Sequence, residues 1–104
     1  MAIAQRGEIE AMIGGEALVL CLTLGALAEL EARLQAGDLV GLAERFSSGR
    51  VSARDLTAIL GAGLRGGGNA LDDDDLARLS IEGGLKGAAE IAARLLRATF
   101  GDAA

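Results

Sequence analysis

Residues 8–22 read Glu8-Ile-Glu-Ala-Met-Ile13, Gly14-Gly15, Glu16-Ala-Leu-Val-Leu-Cys-Leu22: two apolar-patterned runs on either side of a glycine pair. Such a pair predicts a two-residue hairpin turn, because glycine enters the left-handed backbone region without a Cβ clash. Pairing Ile13 with Glu16 sets Ile9 opposite Leu20 and Ala11 opposite Leu18, which makes one mostly apolar face. The reverse face pairs Glu8 with Cys21, Glu10 with Val19 and Met12 with Ala17, and is mixed. An isolated hairpin is only marginally stable in water, so helices must cover the apolar face.

From Thr23 the period changes from two to about 3.6. Thr23 is placed to cap a helix over about 24–35, with Leu27, Leu30 and Leu34 on one stripe and Glu29 paired with Arg33 four residues on. Asp38 opens a second over about 38–46, with Leu39, Leu42, Ala43 and Phe46 inward. Ser52 followed by Asp55 resembles a capping box and starts a third over about 53–65, with Leu56, Ile59, Leu60 and Leu64 inward. Gly66-Gly67-Gly68 ends it, and three residues without side chains predict a mobile loop. A short helix over about 72–79 begins in four aspartates, whose charge suits the positive end of a helix dipole. The last helix, about 83–100, is the longest. Leu85, Ala88, Ala89, Ala92, Leu95, Leu96 and Phe100 form its apolar side, and Glu82, Lys86, Glu90, Arg94 and Arg97 its solvated side. The expectation is one α+β domain over 1–104, predominantly α, with an N-terminal β-hairpin packed on about five helices.

Composition then limits the chemistry. The chain has 104 residues, 51% of them apolar, and a formal charge of −5. That length buries about two-thirds of the unfolded surface, enough to fold without disulfide or metal. Asp72 to Asp75 hold most of the net charge, and the remaining body is close to neutral. It lacks the clustered basic footprint of a nucleic-acid binder. With no His, Trp, Tyr or Pro, and with Cys21 as the single cysteine, the chain has no His-based acid/base pair, thiolate–imidazole zinc site or aromatic stacking platform. No catalytic residue, cofactor, metal or small-molecule ligand is expected. Neither a membrane span nor a signal-peptide pattern is found, so the product is expected to stay where it is made.

Four features invite a function and have simpler readings. Gly61-Ala-Gly63-Leu-Arg-Gly66 has dinucleotide-motif spacing, but closes a helix instead of following a strand. Asp72 to Asp75 fails as a calcium loop, because Gly83, Gly84 or Leu85 falls where the twelfth-position glutamate is needed. Cys21 reads as a small hydrophobe in or near the core. The Lys86, Arg94 and Arg97 row is interrupted by Glu90 and reads as an ordinary solvated face. Met12, Ala17 and Val19, on the mixed hairpin face beside an unpaired strand edge, form the candidate partner surface, for another protein or a second copy.

The run Leu22-Thr-Leu-Gly-Ala-Leu-Ala-Glu-Leu-Glu31 is followed by LVGLAERF at 39–46, Ser52-Ala-Arg-Asp55, Gly63-Leu-Arg-Gly-Gly-Gly68 and Ala93-Arg-Leu-Leu-Arg-Ala-Thr-Phe-Gly101. In order and spacing this series resembles the small tail protein of gene transfer agents, phage-derived particles of alphaproteobacteria that move host DNA. The resemblance runs from Arg6 to Gly101. It implies a non-catalytic tail assembly protein, either a tail assembly chaperone for the tape-measure protein or tail subunits, or a structural component of the tail tube. One hairpin on a mostly helical body favours the chaperone, which would act in the bacterial cytoplasm, whereas a tube component would reside in the particle tail. A helical DNA-binding module ranks below both.

Overall fold

The computed structural model describes residues 7–34 and 52–100. Strands β1 (Glu8–Ile13) and β2 (Glu16–Cys21) pair antiparallel in the expected register, Ile13 with Glu16 through Glu8 with Cys21. Gly14 and Gly15 make the turn at φ of 63° and 82°. Both torsions are left-handed, as a type I′ turn needs to match the strand twist. Four helices follow: α1 (Leu24–Leu34), α2 (Ala53–Gly66), α3 (Asp73–Ala77) and α4 (Gly84–Phe100). The described part is therefore α+β and mostly helical. The expected helix at 38–46 lies outside the described residues, so five helices become four here.

Caps fix where the helices begin. Thr23 Oγ1 accepts from Ala26 N at 3.1 Å, and Ser52 Oγ accepts from Asp55 N at 3.1 Å. Asp72 and Asp75 form a reciprocal capping box, Asp72 Oδ1 accepting from Asp75 N and Asp75 Oδ2 from Asp72 N. The aspartate run thus starts a helix, as its charge requires. That helix is shorter than the expected 72–79. After Arg78 the chain turns toward the hairpin, where the Ser80 carbonyl accepts from Gly14 N at 2.8 Å and Ile81 bridges to Ile13.

The core lies between the apolar hairpin face and the helices. Ile9, Ala11, Ile13 and Leu20 meet Leu30 of α1, Leu56, Ile59, Leu60 and Leu64 of α2, and Ala92, Leu95 and Leu96 of α4. Helix α2 is the centre, buried along Leu56 and Ala58 to Leu64 rather than on one stripe. The stretch AILGAGL carries no charge on any face, which is the pattern of a helix enclosed all round. The apolar stripe of α4 is narrower than its sequence suggests. Leu85 and Phe100 are exposed, at 60% and 40%, while Ile91 is buried. They sit at the two ends of α4, and Leu85 lines an open depression together with Leu56, Leu60 and Leu79.

The loop expectation at Gly66-Gly67-Gly68 is corrected. A Cβ at Gly66 would overlap the Cys21 carbonyl oxygen, and one at Gly67 would overlap the Val19 carbonyl oxygen. These glycines exist for close approach, pressing the end of α2 onto the outer edge of β2, and they form part of the packed fold. Only Gly68, at φ 95° with nothing within 4 Å, fits the conformational reading.

Candidate functional site

With one hairpin face buried, Glu8, Glu10 and Met12 of β1 and Ala17, Val19 and Cys21 of β2 share the other. The three candidate contact residues come together there. Met12 and Ala17 are a cross-strand pair, Met12 is 50% exposed, Ala17 is exposed, and Val19 is half-buried opposite Glu10. The patch is small and rimmed by carboxylates.

Its edges are less open than the sequence suggests. In a hairpin closed by two residues, Ile13 and Glu16 form a hydrogen-bonded pair, so the backbone groups of Glu10 and Met12 point away from β2 and those of Val19 and Cys21 away from β1. On the β2 side, Gly66 and Gly67 lie against the Cys21 and Val19 carbonyls. Asn69 Nδ2 donates to the Val19 carbonyl at 2.8 Å and to the Leu64 carbonyl at 3.1 Å. On the β1 side, Ser80 and Ile81 cover the turn end, and Arg94 Nη2 donates to the Glu10 carbonyl at 3.0 Å. The expectation of an unpaired edge is therefore corrected in part, because residues 45 or more positions away along the chain cover the Val19, Cys21 and Glu10 carbonyls and the turn end. No local sequence signal announces Asn69 or Arg94 in these roles, since each acts across the fold.

Asn69 joins β2 to the end of α2 through two carbonyls. Asn69→Ala is expected to cost about 1–3 kcal/mol, the usual penalty when part-buried acceptors lose their donor. Urea unfolding monitored by far-UV circular dichroism measures it.

Cys21 sits half-buried on the open face rather than in the core. Burial first, and then the Glu8 carboxylate paired across from it, push its thiol pKa up, because both disfavour the thiolate. Glu8→Gln removes the second cause and is expected to speed alkylation of Cys21 at a fixed pH near 8. The linkage has a definite sign. The folded chain holds this proton to higher pH than the unfolded chain, so the associated stability is complete below the ordinary thiol range and is lost as pH rises through the folded value.

A second polar cluster joins helices. Arg65 Nη2 meets Glu29 Oε1 at 3.0 Å, Arg65 Nη1 donates to the Leu71 carbonyl at 3.1 Å, and Arg33 lies 3.9 Å from Glu29. With Asp72 and Asp74 these residues line an open depression of about 400 Å³. Arg65 spends both arms of its guanidinium on α1 and on the approach to α3, so the cluster reads as a clamp between elements. Among the described residues, no group of three or more Cys, Asp or Glu is placed to hold a metal ion. Nor is any helix among them long and apolar enough to cross a membrane.

No curated protein and no solved structure matches the chain. A family model does, the one described as phage tail tube protein, GTA-gp10, and it matches residues 6–102. That span takes in the hairpin, all four described helices and the whole of the earlier resemblance, and the chain belongs to this family of gene transfer agent tail proteins.

Proposed function

We propose that the chain acts without catalysis in building a phage-like tail, as a structural component of the tail tube, and that the open hairpin face at Met12, Ala17 and Val19 is its contact surface. The family match over residues 6–102 supports this reading. The geometry suits protein contact: a half-exposed methionine beside small residues offers apolar area that adapts to a partner's shape. In this role the protein resides in the particle tail.

A second reading, the tail assembly chaperone that binds tape-measure protein or tail subunits, is favoured by one observation. The described residues hold two strands of six residues each against four helices, whereas rings sealed sheet to sheet use longer strands. Mass spectrometry of purified particles separates the two. The tube reading expects copies in a fixed ratio to the other tail proteins. Complete tails that lack this chain would overturn that reading and leave the chaperone, whose place is the cytoplasm during assembly.

A further inference from the structure

The covers on the two strand edges differ in kind. On β2 the cover is mostly main chain, the packed end of α2 at Gly66 and Gly67. At the turn end of β1 it is also main chain, through Ser80 and Ile81. Among the described residues, the cover at Glu10 is a lone exposed side chain, Arg94. Main chain leaves an edge when the fold opens, but a guanidinium on a flexible stem leaves by rotating.

Beside Glu10 runs a groove of about 460 Å³ between β1 and α4. Ala11, Gly87 and Ile91 form its floor, with Met12 and Arg94 at its rim. Small and apolar residues below, and outward-pointing backbone groups along one wall, describe a slot for extended chain. The charged residues that also line the groove, Glu82 and Glu90 against Lys86 and Arg94, balance, so the charge that selects the occupant is that of β1. Glu8 and Glu10 lie on the open face of β1, so a strand laid beside it meets carboxylates at alternate positions. A second copy of β1 placed antiparallel about Glu10 would set Glu10 against Glu10, and like charges directly opposite are unfavourable.

We propose that Arg94 gates the outer edge of β1, and that this edge receives an extended segment of another protein whose residues alternate basic and apolar. The incoming backbone N–H replaces the guanidinium on the Glu10 carbonyl, and an incoming carbonyl accepts from Glu10 N. Apolar side chains settle over Ala11 and Ile91, and basic ones lie beside Glu8 and Glu10. Released, Arg94 has Glu90 one turn earlier on α4 as a partner. The inference rests on the tail-assembly reading for its biological setting but not for its geometry.

The test uses the full chain labelled with ¹⁵N and an eight-residue acetylated peptide of alternating Lys and Val. The expected result is shift and slowed hydrogen exchange at the Glu8 and Glu10 amides. Arg94→Ala should tighten binding about fivefold, the worth of one competing hydrogen bond, and Glu10→Lys should weaken it at least about fivefold. Of two Lys-Val peptides N-methylated on alternate residues, only one should bind, because only one set of amides faces β1. Equal binding of a Glu-Val peptide, equal binding of both methylated forms, shifts confined to another face, or no binding at millimolar peptide each overturn the proposal. So does dimerisation of the Arg94→Ala chain through β1, which would make a second copy the occupant. If the peptide fails while particles carry the protein, this inference falls and the tail reading stands; peptide binding by a chain absent from particles gives the reverse.

Discussion

Gly66→Ala is expected to destabilise the protein by about 3 kcal/mol, and Gly67→Ala by a similar amount. At either position the new methyl would occupy the place of a carbonyl oxygen of β2, Cys21 for the first and Val19 for the second. Nothing flexible stands in the way that could swing aside. The end of α2 must lift from the strand, which breaks the Asn69 bonds to Val19 and Leu64 with it. Two controls separate this from the loss of glycine flexibility. Gly68→Ala places a side chain at φ 95° in open space, and Gly15→Ala does so at φ 82°. Each is expected to cost about 1–2 kcal/mol from backbone conformation alone. In thermal unfolding, a 3 kcal/mol loss in a domain of this size is a fall in Tm of about 12–20 °C. If Gly66→Ala and Gly68→Ala melt together, the close approach is not what holds the loop.

The second large effect lies in the core, where α2 and α4 cross behind the hairpin. Leu95 is fully buried, and a Cβ built on Gly63 comes within 2.6 Å of its Cδ2 and 3.4 Å of Leu20 Cβ. Leu95→Ala leaves a cavity and is expected to cost about 2–5 kcal/mol. Gly63→Ala overfills the same place and is expected to cost about 1–3 kcal/mol, less what alanine returns in helix propensity. Together they should cost at least about 1 kcal/mol less than their sum, because the new methyl occupies space the leucine vacates. A double-mutant cycle in urea reads this coupling directly. Additivity within about 0.5 kcal/mol would mean that the two residues do not share a cavity.

Local chemistry explains which parts of the fold were legible beforehand. The hairpin register followed from Gly14-Gly15, because a two-residue turn leaves one pairing and the apolar alternation agrees with it. Helix starts followed from Thr23, Ser52 and Asp72, whose side chains act within three residues. What was not legible depends on distant chain. The Gly66-Gly67 pair looks like any flexible break until β2 is brought against it. Ile91 is buried and Leu85 exposed although both are apolar residues of α4, a difference set by what the rest of the chain packs against each. The candidate surface was legible as a face, since Met12, Ala17 and Val19 follow from the register. The state of its edges was not, because Asn69, Ser80 and Arg94 reach it from the far half of the sequence.

That long reach has a consequence for synthesis. The Val19 carbonyl waits for Asn69, 50 residues later in the chain. At a translation speed of about 5–20 residues per second, β2 emerges from the ribosome about 3–10 s before Asn69 does. During that interval the nascent hairpin is an uncovered ribbon with Ile9, Ile13, Leu18, Val19 and Leu20 exposed, open to pairing with any neighbouring polypeptide on the same message. Glu8, Glu10 and Glu16 are already in place at that stage, and their mutual repulsion discourages two nascent chains from joining before either has its helices.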